Sequence, residues 1–227
     1  MKEVNSYGWK AVIGSSIGYA MDGFDLLILG FMLTLISGDL GLTTGQAGSL
    51  VTWTLVGAVI GGFIFGTLSD KFGRVRVLTW TIVLFAVFTG LCAFAQGYWD
   101  LLIYRTIAGI GLGGEFGIGM ALAAEAWPAQ HRAKATSYVA IGWQLGVLAA
   151  ALLTPVLLPY IGWRGMFMVG IIPAFVAWFF RAKLHEPEIF VQSKEIKEHS
   201  HTNSFKLLVK DVRTTKTSIG VAVLTSV

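Results

Sequence analysis

Charge is what this sequence has least of. Only 13% of its 227 residues are Asp, Glu, Lys or Arg, while 55% are hydrophobic, whereas soluble domains carry about 25% charged residues. That shortage excludes an ordinary soluble domain and places the chain in a bilayer. Cysteine is scarcer still. A single Cys92 inside an apolar run rules out an internal disulfide, and no two-Cys or Cys/His spacing is present, so neither a metal nor a cofactor is expected. The first apolar stretch outruns a signal-peptide core and has no small-residue cleavage site, so it reads as a retained helix. No nucleophile, base and acid constellation is visible, and an enzyme is not expected. A net charge of +4 and a pI near 9.2 would suit nucleic acid. The placement of the basic residues assigns them to membrane orientation instead, so no nucleic-acid partner is expected.

Long apolar runs are what the chain has. About 20 such residues cross a hydrocarbon core of about 30 Å. Runs bounded by turn and charge signals predict six spans, at Ala11 to Ser37, Ala47 to Ser69, Val77 to Ala95, Leu101 to Ala124, Ala135 to Leu158 and Gly165 to Phe180. Residues 1–182 thus read as a six-helix bundle, 183–216 as a polar loop and 217–227 as the first residues of a seventh helix, at which the chain is expected to be truncated. Under even alternation, Lys2, Lys10, Lys71, Arg74, Arg76, Arg132, Lys134 and the basic residues from Arg181 to Lys216 fall on one side. Arg105 and Arg164 do not. The positive-inside rule then predicts a multi-pass protein of the cytoplasmic (inner) membrane with its amino terminus in the cytoplasm. The connections at Gly38 to Gln46, Gln96 to Asp100 and Pro159 to Trp163 would lie outside.

Ionisable groups inside spans are costly in lipid and by default mark ion or substrate paths. The first span holds Asp22-Gly-Phe-Asp25, two carboxylates three residues apart and therefore on nearly one helix face. In a dry interior, repulsion and desolvation would favour a proton on at least one of them near neutral pH; pairing with a cation or capping of a broken helix is the alternative. The fourth span holds Arg105 and Glu115 among glycines. Counting about 1.5 Å per residue up from Ala11 and down from Leu101 puts Asp25 and Arg105 at similar depth in the outer half, as candidate partners. Glu115 falls nearer the cytoplasmic half. The glycines let neighbouring helices approach closely. Gly109 to Gly114 also imitates a dinucleotide-binding loop, but such a loop follows a strand in a βαβ unit, and these glycines lie within a membrane-length run. Gln144 could donate to and accept from a substrate, with an interhelical contact as the alternative. Tyr19, Trp53 and Tyr104 could line a cavity or simply pack, and Trp163-Arg164 reads as an anchor at the start of the sixth span.

Between the second and third spans lies Gly66-Thr-Leu-Ser-Asp70-Lys-Phe-Gly73-Arg74-Val-Arg76, which closely resembles the loop between the second and third helices of major facilitator superfamily transporters. Arg105 and its following glycines resemble that superfamily's fourth-helix motif associated with proton coupling. Asp22-Gly-Phe-Asp25, Gly41-Leu-Thr-Thr-Gly-Gln46-Ala, Gly114-Glu115-Phe-Gly117 and Glu125-Ala-Trp-Pro128-Ala-Gln-His-Arg132-Ala-Lys134 resemble its metabolite:proton symporter branch, with sialic acid, carboxylate and aromatic acid carriers. The resemblance implies an all-α integral membrane fold, a six-helix bundle forming the amino-terminal half of a twelve-helix carrier. It implies proton-coupled uptake of a small organic anion by alternating access, with a second six-helix half, protons, the anion and the lipid bilayer as partners. Asp22, Asp25, Arg105, Glu115 and Gln144 would serve protons and substrate. Gly66, Asp70, Gly73, Arg74, Arg76, Glu125 and Arg132 would form the gating motif and its charge network, although topology alone would also account for the arginines. Sugar carriers share the Asp70 motif, but His185-Glu186-Pro187-Glu188 only loosely echoes theirs. A sugar or drug carrier and a non-transporting membrane sensor or half-protein are the alternative readings.

Overall fold

A chain this apolar must satisfy its backbone hydrogen bonds internally, and it does so with helices. The computed structural model describes residues 6–181. Five helices make up most of them: α1 (Ser6–Leu40), α2 (Thr44–Phe72), α3 (Arg74–Cys92), α4 (Tyr98–Glu125) and α5 (Arg132–Arg181). Each is long and apolar enough to cross a membrane. The expected loop at 183–216, the expected helix start at 217–227, Lys2 and the His185-Glu186-Pro187-Glu188 stretch lie outside the described residues.

The sequence predicts six spans, and five helices are present among the described residues. The difference lies in α5, which at 50 residues would run about 75 Å if straight, more than twice a hydrocarbon core. Gly162 breaks it, with φ 64° and ψ 180° joining two helical segments across a kink. The fifth and sixth expected spans therefore correspond to two helical segments, the two arms of α5, which meet at the non-helical Gly162 inside the expected Pro159 to Trp163 connection.

The connections are also shorter than hydropathy suggests. The expected loop around Asp70 is a single residue, because α2 runs to Phe72 and α3 begins at Arg74. Gly73 alone turns the chain, at φ 109° and ψ 148°, a conformation that a residue with a Cβ rarely adopts. Asp70 and Lys71 thus sit on the last turn of α2, and Arg74 and Arg76 on the first turn of α3. The Gly38 to Gln46 connection shrinks likewise. α1 continues to Leu40, and Thr43 caps α2 by accepting from the Gln46 amide while the Gln46 side chain accepts from the Thr43 amide. At the third connection α4 starts at Tyr98, inside the expected Gln96 to Asp100 segment.

Two of the main packing pairs join helices that are not adjacent in sequence: α1 packs chiefly on α5 and α2 on α4, while α3 packs chiefly on the adjacent α4. The α1–α5 and α2–α4 contacts use small residues. A Cβ at Gly57 or Gly61 would overlap the carbonyls of Thr106 and Ile110, and one at Gly109 or Gly113 would overlap those of Thr54 and Ala58. Gly142 and Gly146 of α5 meet the Ser16 and Ala20 carbonyls of α1 in the same way. Backbones this close gain dispersion contact that lipid cannot match. The Gly73 end of the bundle gathers Ser6, Glu125 and Arg132, and the Gly41 end gathers Leu40, Cys92, Tyr98 and Gly162.

Candidate functional site

The bundle's centre holds charge. Arg105 of α4 is wholly buried and Asp25 of α1 is 1% exposed. The guanidinium donates from Nη1 to Asp25 Oδ1 at 3.0 Å and from Nη2 to Asp25 Oδ2 at 2.8 Å, the bidentate fork that matches a planar carboxylate. The depth count that makes these two residues partners agrees with this geometry. Around the pair lie the Phe167 ring, with the Arg105 Cζ 5.8 Å from its centroid, and the buried Cys92 thiol, a member of the same apolar cluster as Phe167. An apolar cluster of Phe24, Ile28, Leu101, Met166 and their neighbours closes over the same region.

Asp22 and Glu115 are also buried, on α1 and α4. Tyr19 lies three residues before Asp22 on α1 and contacts Phe116, the residue after Glu115 on α4. Tyr19 donates to the Phe116 carbonyl at 3.4 Å and stacks on the Phe116 ring at 4.7 Å. Asp22 and Asp25 share a helix face, and it is Asp25 that pairs with Arg105. Gln144 is exposed on α5, so it does not join the buried charges. Trp53 is exposed too, and Tyr104 packs on Phe88.

A second charge cluster ties three helices at the Gly73 end. Arg74 contacts Asp70 at 3.0 Å and Glu125 at 3.1 Å, and it donates to Ser69 Oγ at 2.7 Å. This joins the ends of α2 and α4 to the start of α3. Arg76 and Arg132 are exposed at the starts of α3 and α5, and Gly66 has open space where a Cβ would stand. Sequence reasoning misses Ser69. Its hydroxyl donates to the Gly66 carbonyl one turn back at 2.8 Å, a common habit of helical serines, and nothing in the pattern signals an arginine contact. Nearby, Trp127 donates from Nε1 to the Gly8 carbonyl at 3.0 Å, binding the α4–α5 connection to α1.

Comparison with known proteins supplies the context. The family described as Major Facilitator Superfamily matches residues 15–227. A Haemophilus influenzae protein whose name refers to metabolite transport is 76% identical over 99% of this chain and 56% of its own length. The sialic acid transporter NanX of Escherichia coli is 33% identical over 85% of this chain and 48% of its own length. The cis,cis-muconate transport protein of Acinetobacter baylyi is 33% identical over 92% of this chain and 52% of its own. The chain therefore spans about half the length of these curated relatives. Among solved structures, the partially occluded inward-open xylose transporter XylE of Escherichia coli matches with a TM-score of 0.74 at 24% identity, over 84% of this chain and 51% of that one. That likeness concerns the fold alone.

Proposed function

The chain belongs to the Major Facilitator Superfamily, and from that premise we propose that it forms the first half of a proton-coupled carrier of small organic anions. A second six-helix half would complete the carrier, and alternating access would rock one half against the other around a midplane site. The membrane would be the cytoplasmic one, with the Gly73 end facing the cytoplasm as the basic residues require.

The observation that carries this reading is the buried Arg105–Asp25 pair, together with two further buried carboxylates on the same two helices, Asp22 and Glu115. Charges withdrawn from water inside a membrane protein are expensive and by default mark functional sites. In this division of labour Arg105 is neutralised by Asp25 at rest, and Asp22 and Glu115 are the groups that take up and release a proton. A carboxylate substrate competes with Asp25 for the guanidinium, or enters beside it with Gln144 from the exposed face of α5. Relatives named for sialic acid and muconate transport support an acid as the cargo. The Arg74 cluster, with Asp70, Glu125 and the Gly73 turn, is the gate: its contacts differ between the two states and so set the balance between them. Gly66, Arg76 and Arg132 frame that cluster.

The test is uptake by the complete carrier in proteoliposomes, with sialic acid, cis,cis-muconate and xylose as probes. An inward proton gradient should drive accumulation of one acid, with acidification of the lumen, and should leave xylose outside. Asp22→Asn should abolish accumulation and preserve gradient-independent exchange, because the amide keeps the shape and cannot titrate. Xylose uptake without acid uptake would overturn the substrate class. Accumulation unchanged in both Asp22→Asn and Glu115→Gln would overturn the proton assignment.

A further inference from the structure

The break at Gly162 poses a mechanical problem that the Gly41 end of the bundle solves. A continuous helix positions its second half through its first, but the backbone at Gly162 leaves the helical path, so the second arm of α5 must be held by other contacts. Met166, Phe167 and Ala174 pack in the core, and the two residues after the break add polar ties. Trp163 donates from Nε1 to Asp39 Oδ2 at 3.1 Å. Arg164 pairs with the same oxygen, donates to the Ala95 carbonyl at 3.3 Å and lies 4.1 Å from the Trp163 ring centroid. Asp39 belongs to the last turn of α1, and Ala95 to the connection after α3. The first turn of the second arm is therefore stapled to both.

One helical turn further on, the arm reaches the buried charges. The Trp163 ring meets the Phe167 ring edge-on, with centroids 6.0 Å apart at 90°. Phe167 is fully buried and faces the Arg105 guanidinium. Asp39, half-exposed at the rim, is thus linked through two aromatic rings to the ion pair at the centre. We propose that Asp39, Trp163 and Phe167 are positioning residues for the Arg105–Asp25 pair: Asp39 latches the hinged second arm of α5, and the latched arm holds Phe167 as a cover over the guanidinium. The cover keeps water and thiol reagents from the pair while the latch is closed. Release of the latch opens the pair from the Gly41 end. Asp39 and Arg164 face each other there, and among the described residues they are the charged members of an open pocket formed with Leu35, Leu158, Pro159, Gly162 and Trp163.

The native Cys92 provides the readout. It is fully buried in the same apolar cluster as Phe167 and donates to the Phe88 carbonyl at 3.2 Å, so movement of the cover would open it to a reagent. The experiment treats membranes containing the complete protein with methyl methanethiosulfonate, which crosses lipid, and follows the Cys92 peptide by mass spectrometry. It requires no transport, so it stands or falls independently of the carrier assignment. Asp39→Asn should speed Cys92 modification roughly tenfold by easing a local opening. Trp163→Phe, which keeps the ring and loses the donor, should speed it less, and Asp39→Glu should restore the slow rate. Phe167→Leu should speed it directly, and adding Asp39→Asn should then have little further effect, as expected of two steps in one linkage. Ala123→Cys, buried near the other end, is the control. Modification of Cys92 unchanged by Asp39→Asn would overturn the latch. An equal rise at Cys92 and at position 123 would overturn it as well, because it would mean general loosening.

Discussion

Two arginines organise this bundle in opposite ways. Arg105 is buried and binds one carboxylate with both ends of its fork. Arg74 is 18% exposed and divides its donors among Asp70, Glu125 and Ser69. The first pair has surrendered its hydration, so its two members depend on each other entirely: removal of either leaves a charge stranded in apolar surroundings. The second cluster keeps water as a substitute partner, and any one of its contacts can be exchanged at small cost. A group that must remain in place suits the first environment, and a group that must alternate between partners suits the second.

The largest expected effect breaks the buried pair. Asp25→Asn strands the Arg105 charge and should cost about 3–5 kcal/mol, seen as low membrane abundance and early thermal unfolding in detergent. Arg105→Gln added to Asp25→Asn removes the stranded charge and should recover much of that loss. A double variant no more stable than the single one would show that the two side chains are not partners in the working protein.

An intermediate effect sharpens the contrast by removing the contact that crosses from α3 to α4. Glu125→Gln leaves Arg74 with Asp70 and Ser69, and its cost should be about 1 kcal/mol, the upper range of exposed pairs. Transport rate should fall more than abundance if the contact belongs to one state of the gate. Matching losses in rate and abundance would reduce Glu125 to a structural tie.

The smallest expected effect is that of Asp70→Asn. Its carboxylate is 45% exposed, so the cost in stability should be about 0.2–1 kcal/mol, with substrate binding intact and the transport rate reduced. A Tm shift as large as that of Asp25→Asn would erase the distinction between the two arginines.

The sequence discloses the buried pair more readily than the exposed cluster, for a physical reason. Depth along a membrane helix follows from a fixed rise per residue, so counting suffices to match Asp25 with Arg105. Hydropathy, however, reports where water begins, and helices do not end there. Polar residues continue α1 to Leu40 and α2 to Phe72, and the expected loops are short turns at Gly41 and Gly73. Which face a residue occupies is also hidden in spans that are apolar all round. Gln144 reads equally as a substrate contact or an interhelical contact, and the pattern does not tell that it is exposed on α5; nor does it single out Phe167, whose ring lies 5.8 Å from the Arg105 Cζ. Cys92 reads only as a lone cysteine of an apolar run, and its place in the same buried cluster as Phe167, 75 positions away, is not signalled. Trp163-Arg164 reads as a lipid anchor, whereas its hydrogen bonds to Asp39 make it a tie within the protein. The glycines of α4 announce close packing, but α2 as their partner emerges only from the fold.

The pairing of α1 with α5 and of α2 with α4 has a consequence for biosynthesis. A ribosome delivers helices in order, and in this chain α1 and α2 meet their main packing partners late. Asp25 is made 80 residues before Arg105, which at 5–20 residues per second is roughly 4–16 s of elongation. During that interval α1 carries its two buried carboxylates, Asp22 and Asp25, without the arginine that pairs with Asp25. It must wait in the insertion machinery, or enter the bilayer with its acids protonated, until the fourth helix arrives to claim it.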